Sequence, residues 1–273
     1  MSDEVAPEEQ PDPFAELRSW AEAYEDEVQF KISSENKIRS KTVKGVFDEI
    51  AKYHAASQKI ISREMTKYLR TILKDLPSIR AWSKSEDAKG VGDPLLARLL
   101  GTIGDPYRAT PSHWEGKGKD NRYLVADPPY DRSLSQLWSL CGLGDPQRTM
   151  HKDISAEEIM ALGKPRAKMI LWLLATSCVI NGVTRLDHCD DTNGYDLDGR
   201  KSTSHYGQVY LDARAHYAGT EHPWACARCT GKGKPPAPIG SERSPGHQQA
   251  MALRKVSKEI LRDLWTAARE DAQ

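Results

Sequence analysis

Apolar side chains recur every three or four positions along most of the chain, which is the period of an α-helix packed on one face. Between Phe14 and Leu76, lysines and arginines separate the apolar positions of this pattern, which are Val43, Val46, Phe47, Ile50, Tyr53, Ile60, Ile61, Tyr68, Ile72 and Leu76. Pro77 ends the pattern because proline disfavours helical backbone in the residue before it. We therefore predict one long basic helix or a helical hairpin over residues 29–77.

The middle of the chain, residues 78–180, contains the tripeptide Gly-Asp-Pro three times, at residues 92–94, 104–106 and 144–146. Aspartate can cap a helix and proline suits its first turn, so each copy predicts a helix start. The predicted helices include Ser133–Cys141, Ala156–Leu162 and Pro165–Val179, and a loop is expected at Thr110–Pro129. In the last segment, residues 181–273, helices are expected over Ser204–Tyr217 and Gln248–Glu270. Alternation with period two is almost absent, so the predicted fold class is mainly α.

Composition limits the classes of protein that this chain can belong to. The longest apolar stretch, Met169–Ile180, is shorter than the roughly 20 residues that a membrane-spanning helix needs, so no membrane partner is expected. The first residues are acidic and do not resemble a signal peptide. Five cysteines without a secretory signal indicate a reducing compartment, and we therefore expect a cytoplasmic protein.

The net charge of zero conceals a strong asymmetry. Residues 1–28 hold ten acidic residues and one base, and the rest of the chain is basic. We predict that residues 1–28 form an acidic disordered tail, and that the basic remainder binds an anionic partner such as DNA or RNA.

A glycine turn precedes one of the predicted helices. Gly90, Val91 and Gly92 form a Gly-apolar-Gly turn before Pro94, and Gly142 and Gly144 form a looser second copy. Glycines permit a tight turn and leave backbone amides at a helix N-terminus, where the helix dipole favours a phosphate. The pattern predicts a helix-hairpin-helix core that holds the nucleic-acid backbone without reading its sequence. The predicted contacts are Lys89, Gly90, Val91, Gly92, Arg98, Gly142, Gly144, Lys164, Arg166 and Lys168.

A longer pattern contains these glycines. Residues 90–106 follow Gly-Val-Gly-x4-Ala-x-Leu-Leu-Gly-x-Ile-Gly-Asp-Pro, and residues 134–146 follow Leu-x2-Leu-Trp-x-Leu-Cys-Gly-Leu-Gly-Asp-Pro. Gly163-Lys164-Pro165-Arg166 then leads into the next helix. This arrangement, over about residues 45–180, resembles the C-terminal domain of the insertion-sequence transposases that use a bridge-type guide RNA. The resemblance implies a helix-hairpin-helix scaffold that binds DNA.

Two departures from that family bear on catalysis. The family's catalytic serine stands in a Ser-Gly pair after the Gly-Leu turn, and residues 145–151 here contain no serine. The segment before residue 78 is helical and too short for the family's nuclease-like domain. We therefore expect DNA binding without catalysis. The alternatives are a divergent transposase with another nucleophile and a helical interaction protein, in which the long N-terminal helix forms a homodimer.

The Gly- and Pro-rich stretch 219–246 contains a Cys-x2-Cys motif. Cys226 and Cys229 have the spacing with which two thiolates bind one Zn²⁺. Among the candidates for the remaining two ligands, we favour His222 and His247 over His216, His205 and Cys189. Buried free thiols and a redox pair are the alternatives. We expect a structural zinc that staples this loop, which has too few apolar residues to fold alone.

Overall fold

The computed structural model describes residues 12–39, 44–110, 112–115, 123–144, 163–185, 199–230 and 234–273. Most of these residues are helical, so the predicted mainly α class is confirmed. The helices within the described residues are α1 (Ala15–Arg39), α2 (Lys44–Ile72), α3 (Pro77–Lys84), α4 (Asp93–Ile103), α5 (Leu134–Leu140), α6 (Pro165–Gly182), α7 (His205–Tyr217) and α8 (Pro245–Asp271). The helix predicted at 156–162 lies outside these residues.

Short antiparallel ribbons connect some of the helices. The strands are β1 (Arg108–Ala109), β2 (Ser112–Glu115), β3 (Tyr123–Ala126), β4 (Tyr130–Asp131), β5 (Val183–Arg185) and β6 (Arg200–Ser202). They pair as β1 with β4, β2 with β3 and β5 with β6. The loop expected at 110–129 therefore contains one ribbon, in which Ser112 pairs with Ala126 and Glu115 with Tyr123.

In the N-terminal segment, the structure differs from the predicted end of the acidic tail. The acidic disordered tail predicted to run through residue 28 is wrong in its second half, because α1 begins at Ala15. Phe14, Leu17 and Ala21 are buried in the core, and this apolar spacing outweighs the acidic residues of α1, of which Glu25 is itself buried. Residues 1–11 lie outside the described part of the chain. Of the two arrangements predicted for residues 29–77, the hairpin is the one observed, since α1 and α2 pack against each other.

The centre of the molecule is α4, which packs against α1, α2 and α6. Leu96, Ala97, Leu99 and Leu100 of this helix have no solvent exposure. At Gly101 a Cβ atom would lie 2.5 Å from the carbonyl oxygen of Leu17, so only glycine allows α1 and α4 to approach this closely.

A second layer covers the other side of α6. Helix α6 contacts α7 and α8, and α8 also contacts α3 and α5. A single cluster of buried apolar side chains extends from Phe14 to Ala268, across the predicted segment boundaries at residues 77 and 180. Those segments therefore contribute to one shared core. None of the helices in the described ranges is long and apolar enough to cross a membrane.

Candidate metal centre and basic surface

The Cys-x2-Cys loop lies between α7 and α8 and is closed by backbone hydrogen bonds. Cys226 and Ala237 exchange two such bonds of 2.9 Å, and the His222 amide donates to the Ser241 carbonyl at 2.9 Å. A 3₁₀ turn over Ala227–Cys229 carries the second cysteine back towards the first. We call the segment 220–244 the metal loop.

The four predicted ligands converge. One ligand atom from each of His222, Cys226, Cys229 and His247 lies within 4.8 Å of the others. The Nε2 atom of His222 is 3.1 Å from Cys229 Sγ, and Nδ1 of His247 is 3.5 Å from Cys226 Sγ and 3.3 Å from Cys229 Sγ. Bonds of about 2.0–2.3 Å to a tetrahedral ion place its ligand atoms about 3.3–3.8 Å apart. This group of side chains could hold a metal ion.

The protonation of the two histidines suits metal binding. Burial, followed by the nearby charges of Arg228, His222 and Arg243, lowers the pKa of His247 to about 4. Burial and Arg243 also lower the pKa of His222. Both imidazoles are therefore neutral at neutral pH, and the neutral ring is the form that binds a metal.

The same helix start that carries His247 also supports a cysteine. Ser244 caps α8, and its side chain accepts a hydrogen bond from the amide of His247. The Ser244 amide donates to Cys229 Sγ at 3.3 Å. Such an outer hydrogen bond fixes the orientation of a sulfur ligand. The cap therefore positions one ligand directly and orients another.

The remaining described cysteines are unsuited to nucleophilic or redox reactions. Cys141 and Cys178 are buried in the core, and burial raises the pKa of each thiol to about 12. The reactive form of cysteine is the thiolate, so both are inert packing residues at neutral pH. Cys189 lies outside the described residues.

The turn at residues 90–92 packs against α6 instead of standing open. Gly90 has a φ of 96°, and a Cβ atom there would lie 2.6 Å from Cys178 Cα. The Gly90 carbonyl accepts a hydrogen bond from Ser177 Oγ at 2.8 Å, and Val91 is buried. Gly92 and Lys89 remain exposed. Helix α3, before the turn, packs on α8, whereas α4 packs on α1, α2 and α6.

The N-terminus of α4 already carries a carboxylate. Asp93, the first residue of α4, is buried and accepts hydrogen bonds from Arg70 Nε at 2.9 Å and from Lys84 Nζ. Burial opposes ionisation of Asp93, but the hydrogen bonds from Lys84 and Arg70 outweigh it and lower the pKa of its carboxyl. The predicted phosphate cradle at this helix start is therefore not an open anion site.

The prediction for Arg98 is wrong. Arg98 was predicted to contact phosphate, but it is buried in the core, where its Nε and Nη2 atoms donate to Glu25 Oε1 and its guanidinium lies 4.5 Å from the Tyr24 ring centroid. The sequence holds no signal for this pair, because Glu25 and Arg98 are separated by more than seventy residues.

The second glycine turn is closed by α8. Gly142 has a φ of 68° and Leu143 is buried. The Nη2 atom of Arg254 donates to the carbonyl oxygens of Leu143 at 2.8 Å and of Gly144 at 3.2 Å. These two hydrogen bonds hold the Arg254 guanidinium beside the glycines of this turn. Residues 145–151, where a transposase nucleophile would be sought, lie outside the described part.

The N-cap and the first turn of α6 carry the three remaining predicted cations. Lys164 donates to the Thr102 carbonyl at 2.7 Å, and burial together with Arg18 and Arg132 lowers its pKa. Arg166 is exposed. Burial lowers the pKa of Lys168, and the charges of Arg254 on α8 and of Arg228 in the metal loop lower it further.

The structure adds cations that the sequence motifs do not contain. Lys258 lies 4.5 Å from the Trp138 ring centroid, and its pKa is lowered by burial and by Arg254 and Lys255. We define the metal-loop basic surface as Lys168, Arg228, Arg254, Lys255 and Lys258. The available signal was compositional, since residues 222–258 contain seven lysines and arginines but a single acid, Glu242.

Comparisons with known proteins give no relative for this chain: no family model, no curated protein and no solved structure matches it.

Proposed function

We propose that the chain binds nucleic acid through the phosphate backbone, on the metal-loop basic surface. The observation that supports this proposal is an excess of cations on one part of the chain: residues 222–258 hold seven lysines and arginines against one acid, and Arg228 and Lys255 are exposed. Lys168 of α6, Arg228 of the metal loop and Arg254 of α8 lie close enough for the arginines to depress the pKa of the lysine. Like charges repel, so a folded chain keeps such a cluster at a cost that a polyanion relieves.

The start of α6 extends this surface. Arg166 is exposed there, and Lys164 contributes a further positive charge to the same turn. The N-terminus of a helix carries a partial positive charge that favours phosphate. Contacts of this kind fix position on the backbone and do not read bases, so we expect binding that is largely independent of sequence.

We further propose that the metal is Zn²⁺ and that its role is structural. Two thiolates and two neutral imidazoles suit a tetrahedral zinc site without an open position for substrate. Few apolar side chains of the metal loop are buried, namely Cys226 and Ala237, so the ion supplies cohesion that a hydrophobic core would otherwise provide. Since Arg228 lies between the two cysteines, the ion also holds a phosphate-binding cation in place.

Binding is tested by fluorescence anisotropy with labelled duplex DNA, single-stranded DNA and RNA at several salt concentrations. The test variant combines Lys168→Ala, Arg228→Ala and Lys255→Ala. We expect it to weaken binding about 10-fold or more and to lower the salt slope by about 2–3, because three phosphate contacts are lost. The matched control removes three exposed bases elsewhere, with Lys52→Ala, Lys74→Ala and Arg80→Ala. Equal affinities of test and control variants would contradict the proposal.

The metal is tested separately, by elemental analysis of the purified chain. We expect one zinc per chain, lost in Cys226→Ser and retained in the control His216→Ala, which changes an exposed histidine outside the cluster. Loss of zinc should also weaken nucleic-acid binding, since it releases Arg228. A Cys226→Ser protein that keeps its zinc would refute the ligand set.

The transposase alternative predicts a different readout. Incubation with supercoiled DNA and Mg²⁺ leaves the DNA intact if the chain only binds, whereas nicking or strand transfer would assign it catalysis.

A further inference from the structure

A groove of about 560 Å³ lies between α1 and α2, beside the start of α4, and is separate from the metal-loop basic surface. Five of its lining residues are cations, and its described lining contains no acidic side chain. The cations are Lys31, Lys59, Arg63, Lys67 and Arg70. The volume is within the range of about 300–1,000 Å³ that is typical of small-molecule sites.

The positive charge of this groove is only partly neutralised. Glu64 is shared between Arg63 Nε at 3.1 Å and Lys67 Nζ at 2.9 Å, and Lys31 is 3.8 Å from a carboxylate oxygen of Glu35. Lys59 has no ion pair with any residue in the described ranges. The rim therefore carries an excess of positive charge on flexible side chains that can close around an anion.

Arg70 contributes to the same excess. Its only ion-pair partner in the described part of the chain, Asp93, is shared with Lys84. One carboxylate thus serves two cations at this end of the groove, as Glu64 does in the middle. Lys59 and Arg70 are the first and last of the groove cations on α2, and both keep positive charge that the protein's own acids do not neutralise.

Gln58, one of the residues that line the groove, has an unsatisfied donor. The amide nitrogen of Gln58 is buried and has no hydrogen-bond partner among the described residues. Buried polar groups in folded proteins are normally paired, so an unpaired amide in a cationic groove indicates a missing acceptor.

We propose that this groove binds a small molecule carrying a chain of two or three phosphates, such as a nucleoside diphosphate or triphosphate. Phosphate oxygens would accept from Lys59, Arg63 and Lys67 and from the Gln58 amide. A small polyphosphate is favoured over a nucleic-acid strand because the cationic lining is confined to a groove of about 560 Å³ between two helices, with Tyr24 and Pro94 among its lining residues. The proposal does not depend on nucleic-acid binding at the metal loop.

The test is isothermal titration calorimetry of the full, metal-loaded chain with tripolyphosphate, ATP and inorganic phosphate. We expect saturable binding of tripolyphosphate and ATP, and binding of inorganic phosphate at least about 10-fold weaker because it reaches fewer cations. The variant Lys59→Ala with Arg63→Ala should weaken tripolyphosphate binding about 10-fold or more. Both side chains are exposed, so the fold should not depend on them.

Two further variants make the test specific. Gln58→Leu removes the unpaired buried amide, so it should weaken tripolyphosphate binding while the melting temperature is kept or raised. Lys74→Ala with Arg80→Ala removes two exposed charges outside the groove and should leave binding within about 2-fold of wild type.

Two outcomes would overturn the proposal. One is no saturable binding of tripolyphosphate or ATP, or equal binding by wild type and the Lys59→Ala, Arg63→Ala variant. The other is a short oligonucleotide that binds this groove more tightly than ATP does and whose binding is lost in that variant. This result would make the groove a nucleic-acid contact. The triple variant at Lys168, Arg228 and Lys255 should bind ATP normally. Failure of the proposed nucleic-acid binding can therefore be distinguished from failure of the polyphosphate proposal.

Discussion

At the scale of single residues, the clearest feature is the buried pair of Arg98 and Glu25. Arg98 Nε donates to Glu25 Oε1 at 3.1 Å and the guanidinium lies against the Tyr24 ring, while both charged groups are almost excluded from solvent. Removing one partner of such a pair leaves a buried charge without compensation, which costs about 3–5 kcal/mol. The pair ties α1 to α4 in the centre of the fold.

We therefore expect Glu25→Gln to lower the free energy of unfolding by about 3 kcal/mol, measured by urea denaturation at neutral pH. Arg98→Met should also destabilise the fold, and the double variant should lose less than the sum of the two single losses because the charges are removed together. If Arg98→Met instead left stability unchanged and weakened nucleic-acid binding, Arg98 would be the phosphate contact that the sequence predicts.

Asp93 should make stability depend on pH. The hydrogen bonds from Lys84 and Arg70 overcome the effect of burial and lower its pKa in the folded chain. A lowered pKa means that Asp93 stabilises the fold fully above its unfolded value of about 3.9, and that this contribution is lost as pH falls through the folded value. Its two cationic partners are largely exposed, so the contribution is about 1 kcal/mol.

The measurement for Asp93 compares urea unfolding of wild type and Asp93→Asn. The difference in unfolding free energy should be largest near neutral pH and should shrink below about pH 3.9. A difference that grows as the pH falls would contradict the assigned direction of the pKa shift.

Residue type and local spacing explain which site residues the sequence could predict. Cys226 and Cys229 are recognisable because the chelating geometry is encoded within four residues, and the loop composition directs attention to His222 and His247. Arg98 was assigned wrongly because its partner Glu25 is brought to it only by the packing of α1 on α4. The convergence of Lys168, Arg228 and Arg254 escaped prediction for the same reason.

At the scale of secondary-structure elements, two neighbouring glycines have different roles. Gly90 has positive φ, and a Cβ atom there would overlap the backbone of α6 at Ser177 and Cys178. At Gly92 a Cβ atom would meet only Pro94 Cδ, at an ordinary 3.8 Å, and φ is −82°. The turn before α4 therefore depends on Gly90 for its packing, whereas Gly92 tolerates a side chain.

We expect Gly90→Ala to lower the free energy of unfolding by about 2 kcal/mol or more, because strained backbone and a steric overlap add. Gly92→Ala is the matched control and should lower it by about 1 kcal/mol at most, because alanine is a poorer N-cap than glycine but meets no steric overlap there. Urea denaturation of both variants is the measurement. Equal effects of the two substitutions would contradict the packed arrangement of the turn on α6.

Helices and ribbons differ in how far the sequence reveals them. The long helices were predictable because three or four apolar repeats define a face, as Leu253, Val256, Ile260 and Leu264 do in α8. The ribbons have strands of two to four residues, which are too short to show an alternating pattern. The acidic composition of residues 1–28 does not reveal where the helix begins, because Phe14 and Leu17 within it already belong to the core.

At the scale of the whole molecule, α2 leaves an apolar stripe in solvent. Val46, Ile50, Tyr53 and Ile60 are 61%, 37%, 67% and 55% exposed, and their separations of four, three and seven residues place them on one face of the helix. Spacing of this kind is typical of a seam between two helices. The stripe is a candidate surface for the homodimer that the sequence offered as an alternative.

We therefore expect the full chain to form a homodimer in sedimentation equilibrium. Ile50→Asp with Ile60→Asp should shift it to monomer, because an aspartate buried in an apolar seam would lose its hydration. The control Ile239→Asp changes an isoleucine in the metal loop that is more exposed than either of them, and it should leave the dimer intact. A wild-type chain that remains monomeric at micromolar concentration would show that the stripe serves no self-association. The nucleic-acid proposal would survive that result, since its cations lie on α6, α8 and the metal loop.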